Sequence, residues 1–266
     1  MFYLILAFVQ AATEFLPVSS SGHLLFLKGV FGIRDIPVVF DIVLHVGSLI
    51  AIVFFYRQRL MGTVRGMVTE WSQHKQSKPD TRFVVYLILS TSVTFVFYLF
   101  LKDPIELSVQ RPAVLFLTYL LTTVILFSTY FANTDSKQTV SNKRWTIALL
   151  VGFSQGLAIL PGVSRSGATI SSLLLTGVRK DDAAYYSFSL AIPAILGALV
   201  FKLSEVDNMT FVMANWRILI LAFTLSVVFS YLFLVLLKLV LKRKVFWLFS
   251  LYTAAMAIAS LILFSS

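Results

Sequence analysis

The sequence predicts an all-α, polytopic integral membrane protein with six transmembrane helices and two re-entrant helix hairpins in an inverted-topology repeat. Of its 266 residues, 58% are hydrophobic and only 13% are charged, whereas soluble domains average about 25% charged residues. So few charges exclude a soluble globular domain and a disordered chain. Basic residues give a net charge of +10 but are scattered between apolar runs, which argues against a nucleic-acid-binding face. The whole chain, 1–266, is predicted to be one membrane domain.

The first apolar region, residues 2–30, is interrupted by the segment 17–22, Pro-Val-Ser-Ser-Ser-Gly. A spanning helix needs about 20 apolar residues. Each half of this region is shorter than that. The region therefore forms either one kinked span or a hairpin that enters and leaves on the same side.

Six uninterrupted runs are long enough to cross a bilayer. They are 38–56, 83–101, 112–132, 183–203, 216–238 and 245–264. Between the third and the fourth lies a second interrupted region, 145–177, broken by the segment 161–167, Pro-Gly-Val-Ser-Arg-Ser-Gly.

The distribution of Lys and Arg distinguishes hairpins from kinked spans. If both interrupted regions are re-entrant, the loops 57–82, 133–144, 177–182 and 238–244 share one face and carry fifteen basic residues, against six on the other face. If both regions cross, this bias largely disappears. The positive-inside rule then favours hairpins, with the basic face in the cytoplasm and both termini outside.

The two interruptions align when the chain is shifted by 145 residues. The identities at this shift are Gln10 with Gln155, Val18 with Val163, Ser19 with Ser164, Ser21 with Ser166, Gly22 with Gly167 and Arg34 with Arg179. Each copy, 1–132 and 145–266, then has one hairpin and three spans. Because three crossings are odd, the copies must have opposite orientations, and sites in such repeats lie where broken helices meet.

Both interruptions offer groups that bind phosphate. A helix that begins after each break presents free N–H groups and a partial positive charge, and the Arg165 guanidinium can bind two phosphate oxygens. The alternative is that the serines only cap structural helices. The residues predicted to bind substrate are Ser19, Ser21, Gly22, Ser164, Ser166, Gly167, Thr169 and Gln155.

Ionisable residues cluster near the first break. Gln10 and Glu14 share a helix face, as do Asp41 and His45 in the next span, and His23 follows the break. Such a set can hold a hard divalent cation through oxygen or act as an acid–base pair. Structural alternatives remain for three of them: Asp41 capping a helix or pairing with Arg34, His45 as a core residue, and Glu14 in a structural pair.

The motifs at 10–23, QAATEFLPVSSSGH, and 161–169, PGVSRSGAT, closely resemble the two signatures of the bacterial undecaprenyl-pyrophosphate phosphatase family of the bacitracin-resistance type. The segment 40–48, FDIVLHVGS, is similar to a third family segment. The resemblance implies a membrane enzyme that removes the terminal phosphate of undecaprenyl diphosphate and so recycles the lipid carrier of cell-wall polymers. It also implies a divalent cation, Mg²⁺ or Ca²⁺, and a bacterial inner-membrane location with the site open to the outer side.

Family roles map onto particular residues of this chain. Ser20 corresponds to the suggested nucleophile, His23 to the histidine expected to act as base, and Arg165 to the phosphate-binding arginine. Glu14, Gln10 and Asp41 are the predicted cation ligands, with His45 as an accessory residue. Where other members have two glutamates this chain has Gln10 and Glu14, so this motif alone supplies one carboxylate, and Asp41 becomes the more important candidate for the second.

Two other classes of function remain open at this point. Inverted repeats with broken helices are common in transporters, so the same site could carry undecaprenyl phosphate or a related lipid phosphate across the bilayer. A non-catalytic lipid-binding membrane protein is the third reading. Serine attack and direct water attack are not distinguished, and a homodimer is an open alternative. The expected partners are undecaprenyl diphosphate and membrane lipids, with no nucleic acid.

Overall fold

The computed structural model describes residues 2–32, 38–108, 112–132, 136–203 and 209–265, and these are nearly all helical. Within them, β structure is confined to an isolated parallel bridge between Gln138 and Val178. Arg34, which the repeat alignment pairs with Arg179 and which was considered as a partner of Asp41, lies outside the described residues.

Ten α-helices are present in the described parts of the chain. They are α1 (Phe2–Phe15), α2 (Ser20–Phe31), α3 (Val38–Ser72), α4 (Pro79–Ser108), α5 (Pro112–Ser128), α6 (Thr146–Leu157), α7 (Arg165–Leu175), α8 (Lys180–Leu203), α9 (Met209–Lys242) and α10 (Phe249–Ser265).

Within the residues that the structure describes, six helical segments are long and apolar enough to cross a membrane, which confirms the predicted number of spans. They are Val38–Ser72, Pro79–Leu101, Val114–Phe131, Lys180–Val200, Phe211–Lys242 and Phe246–Leu263. The first has 35 residues, or about 52 Å at 1.5 Å per residue, so it extends well beyond a hydrocarbon core of about 30 Å. This helix therefore continues into the basic loop that the sequence places after the first span.

The interrupted regions form pairs of short helices. Helices α1 and α2 have 14 and 12 residues, and α6 and α7 have 12 and 11. The longest is only about 21 Å, which is too short to cross the hydrocarbon core. Each pair packs together across its break. Their re-entrant insertion and the opposite orientation of the two halves stay predictions.

Corresponding helices of the two halves pack in a reciprocal way. Helix α1 packs on α9, α6 packs on α4, and α5 packs closely on α10. A core of buried aromatic and aliphatic side chains, including Phe15, Tyr186 and Phe188, joins the two halves. This packing holds the break between α1 and α2 against the break between α6 and α7.

Candidate active site

Ser19 shapes the first break. Its backbone lies in the left-handed region, with φ of 69°, and its hydroxyl accepts a hydrogen bond from Gly22 N at 3.3 Å. This is the N-cap of α2, and it satisfies one of the free N–H groups at the helix start. A non-glycine residue with positive φ is uncommon and strained, and such residues often lie in functional sites.

Ser164 caps the second break in the same way. Its hydroxyl accepts from Gly167 N at 3.1 Å, and the residue is the N-cap of α7. Thr122 on α5 holds this break from outside by donating to Gly162 O at 2.8 Å and accepting from Ser164 N at 3.2 Å. The two serines that the sequence aligns thus cap their helices through the same relative contact.

The two breaks touch each other. Gly162 N donates to Ser19 Oγ at 3.1 Å, and Ser166 Oγ donates to Leu16 O at 3.4 Å. A Cβ added to Gly22 would lie only 3.0 Å from Gly162 Cα. The starts of α2 and α7 are therefore brought together, and glycine permits the close approach.

Glu14 is the centre of the polar contacts at this junction. Arg165 Nη2 donates to Glu14 Oε1 at 2.5 Å, and Ser20 Oγ donates to Oε2 at 2.7 Å. Gln10 Nε2 also donates to Oε2, at 3.1 Å. The Glu14 and Arg165 side chains are 8% and 17% exposed, so this ion pair between the two halves is largely buried.

Two polar atoms at the same place have no hydrogen-bond partner among the described residues. They are Arg165 Nη1 and Gln10 Oε1, and both are buried. Buried polar groups are normally hydrogen-bonded, so such exceptions need an explanation. One atom is a cationic donor and the other a neutral acceptor, and a ligand that brings both an anion and a cation would satisfy both.

His23 is held on the other side of the break. Its Nδ1 lies 2.7 Å from Ser19 O and 3.0 Å from the Tyr119 hydroxyl, and its Nε2 lies 2.7 Å from the Tyr252 hydroxyl. The Ser20 hydroxyl gives its single hydrogen to Glu14, not to His23. The role of His23 as the base therefore stays a prediction, while Glu14 is the acceptor already in contact with Ser20.

Sequence reasoning missed the two tyrosines and Thr122. Tyr119 and Tyr252 stand in apolar spans far from His23 along the chain, and neither lies at a spacing that marks it. Only the packing of α5 and α10 around α2 brings them to the imidazole.

The remaining predicted binding residues make hydrogen bonds within the protein. Ser21 contacts Ser19 at 3.4 Å within the first break. Thr169 bonds to Ser187 at 2.6 Å, and Gln155 donates to Thr94 at 3.2 Å. These last two contacts join helices of the protein to one another, and substrate binding by Thr169 and Gln155 stays a prediction.

The cation ligands named from the sequence, Glu14, Gln10 and Asp41, stay a prediction. Among the described residues, no three His, Cys, Asp or Glu side chains are grouped to hold a metal. Asp41 lies in the first turn of α3, and His45 lies one helical turn further along the same helix. Glu14 and the free Gln10 Oε1 nevertheless fit Mg²⁺, which commonly uses one or two carboxylates together with substrate phosphates and water.

The fold and this site define a multi-pass membrane protein with a buried polar centre between two broken helix pairs. A family model described as "Bacitracin resistance protein BacA" matches residues 3–259. The chain belongs to this family.

Several relatives that match nearly the whole chain carry one printed name, undecaprenyl-diphosphatase. The protein of Methanosphaera stadtmanae is 34% identical over 98% of this chain and 96% of its own length. That of Alcanivorax borkumensis is 33% identical over 97% and 96%, respectively. Undecaprenyl-diphosphatase 2 of Halalkalibacterium halodurans is 31% identical over 96% and 92%.

Proposed function

We propose that this protein hydrolyses undecaprenyl diphosphate to undecaprenyl phosphate and inorganic phosphate. This reaction recycles the lipid carrier for cell-wall synthesis and confers bacitracin resistance. The observation that carries the proposal is the contact of Glu14 with both Ser20 and Arg165 where two helices begin. The shared name of the relatives supports the same activity and substrate.

The junction suits a diphosphate headgroup. The starts of α2 and α7 direct N–H groups and partial positive charge toward the same place. Arg165 adds a full charge, and its Nη1 has no protein partner among the described residues. The apolar tail lies along the lipid-facing helices, where exposed aliphatic and aromatic side chains are abundant.

In the first step, the Ser20 oxygen bonds to the terminal phosphorus. The bond between that phosphorus and the bridging oxygen breaks, and undecaprenyl phosphate leaves. The Ser20 proton passes to Glu14 Oε2, which its hydroxyl contacts at 2.7 Å. Arg165 and the two helix starts stabilise the negative charge on the transferring phosphoryl group.

In the second step, a water oxygen bonds to the phosphorus, the Ser20 oxygen–phosphorus bond breaks, and phosphate leaves. His23 accepts a proton from this water, and the Ser20 oxygen regains its proton from Glu14 Oε2. If water attacks the diphosphate directly, Ser20 orients that water and the contacts are otherwise unchanged.

A divalent cation, Mg²⁺ or Ca²⁺, fits the oxygens of Glu14 and Gln10 and would neutralise diphosphate charge when bound. We place the protein in the bacterial inner membrane with the site open to the outer side. The fifteen-to-six distribution of basic residues supports a cytoplasmic location for the loops that carry the fifteen, and the outward opening of the site is what the family resemblance implies.

The test is phosphate release by the purified protein in lipid nanodiscs, with undecaprenyl or farnesyl diphosphate as substrate. We expect release that EDTA stops and that Arg165→Ala reduces at least about a hundredfold. Arg57→Ala, at an exposed arginine that donates to its own helix, is the matched control and should retain activity. No release, with labelled lipid phosphate moving between leaflets of proteoliposomes, would instead indicate the transporter.

A further inference from the structure

The hydrogen bonds around His23 fix one form of its imidazole. The side chain is buried, and the residue is only 7% exposed. A carbonyl oxygen can only accept, so the 2.7 Å contact with Ser19 O places the ring proton on Nδ1. In the neutral ring, Nε2 then carries the lone pair, and the Tyr252 hydroxyl donates to it at 2.7 Å.

Two tyrosines from different helices also fix the orientation of the ring. The Tyr252 ring stacks on the imidazole with an interplanar angle of 2°, while the Tyr119 ring meets it edge-on at 81°. Tyr119 is fully buried, and its hydroxyl lies 3.0 Å from Nδ1. Both rings approach from the side of α5 and α10.

The two helices that carry these tyrosines, α5 and α10, are bonded to each other. Helices α5 and α10 pack closely, and Thr123 and Thr253 share a hydrogen bond of 2.9 Å between them. Thr123 is one helical turn from Tyr119, and Thr253 is adjacent to Tyr252. The last helix of the second half therefore supports a histidine of the first half.

We propose that Tyr252 and Tyr119 are positioning residues for His23. Tyr252 donates to Nε2 and so reinforces the imidazole form with its proton on Nδ1 that Ser19 O favours, in which Nε2 is the basic nitrogen, and Tyr119 fixes the ring edge. This inference rests on the proposed function, because it assigns His23 a proton-transfer role in the same site.

The first test reads the imidazole directly and needs no activity. The chain has three histidines, so the ¹⁵N resonances of His23 in the histidine-labelled protein are assigned by their loss in His23→Asn. We expect a protonated Nδ1 and an unprotonated Nε2 in the wild type, and a shifted Nε2 resonance in Tyr252→Phe. A protonated Nε2, or unchanged resonances in Tyr252→Phe, would overturn the proposal.

The second test is kinetic. Removing one hydrogen bond to an imidazole should lower kcat roughly tenfold in Tyr252→Phe and leave KM within about twofold. Because Tyr252 acts through His23, the double variant with His23→Ala should be no slower than His23→Ala alone. Tyr130→Phe, at a surface tyrosine, is the control and should match the wild type.

The two tests separate the possible failures. If the double variant lowers kcat by the product of the two single-variant factors, Tyr252 acts independently of His23, and the positioning role is refuted. If the wild type releases no phosphate, the proposed function fails, and the ¹⁵N spectra alone decide whether the tyrosines fix the ring. If Tyr252→Phe does not fold, Tyr119→Phe is measured in the same way and must shift the Nδ1 resonance.

Discussion

The ion pair between Glu14 and Arg165 joins the two halves of the chain, and its removal gives the sharpest prediction. Removing one partner of a buried pair costs about 3–5 kcal/mol, because the other charge is left unpaired. In Arg165→Ala, the Glu14 carboxylate still accepts hydrogen bonds from Ser20 and Gln10. We therefore expect the free energy of unfolding to fall by an amount near the lower end of this range, about 3 kcal/mol.

Glu14→Ala should cost more. It leaves a guanidinium whose Nη1 already has no partner among the described residues, in a side chain that is 17% exposed. We expect the free energy of unfolding to fall by close to the upper end of the range, about 5 kcal/mol. In the double variant neither charge remains, so its loss should fall below the sum of the single losses by about 2 kcal/mol.

The measurement is reversible denaturant unfolding of the four proteins in one detergent, with Arg57→Ala as the exposed control. The control should change the free energy of unfolding by no more than about 0.5 kcal/mol. Additive losses in the double variant, or a larger loss in Arg165→Ala than in Glu14→Ala, would refute the reasoning from the contacts.

Three further predictions follow from individual contacts. Ser20→Ala should abolish a trappable phosphoserine and lower phosphate release at least about a hundredfold, and full activity would eliminate nucleophilic attack by this residue. Gln10→Glu should bind Ca²⁺ more tightly in the absence of substrate, measured by calorimetry, because it adds a second carboxylate; an unchanged affinity would place the cation elsewhere. Gly162→Ala should lower the unfolding temperature, because its φ is +97° and the new Cβ would lie 2.1 Å from Thr118 Oγ1, whereas Gly62→Ala meets no atom within 4 Å and should not.

Much of the fold could be predicted because a bilayer imposes strong requirements on sequence. A helix that crosses hydrocarbon must be long and apolar and satisfies its backbone groups internally, so the six spans are visible in the hydropathy of the sequence alone. The ends of the helices were harder to predict. The first predicted span, 38–56, is part of a helix that continues to Ser72. The extra turns carry polar and basic residues outside the apolar core, where hydropathy no longer marks a helix.

The centre of the site was also accessible from sequence. Carboxylates and arginines within apolar segments are costly unless paired, and Glu14 and Arg165 are indeed paired. The partner of Ser20 was not accessible, since Glu14 and His23 are both near it along the chain and only the turn at Ser19 decides which one its hydroxyl contacts. The contact of Tyr252 with His23 could not be predicted, because the two residues lie 229 positions apart in the sequence.

The single hydroxyl of Ser19 receives an N–H from its own helix and another from Gly162 across the junction. Loss of that oxygen would therefore destabilise two peptide segments that lie 143 residues apart in the sequence. Evolutionary change in one half is thus constrained by the other, and compensating substitutions for a defect at either tip should be sought in the opposite half.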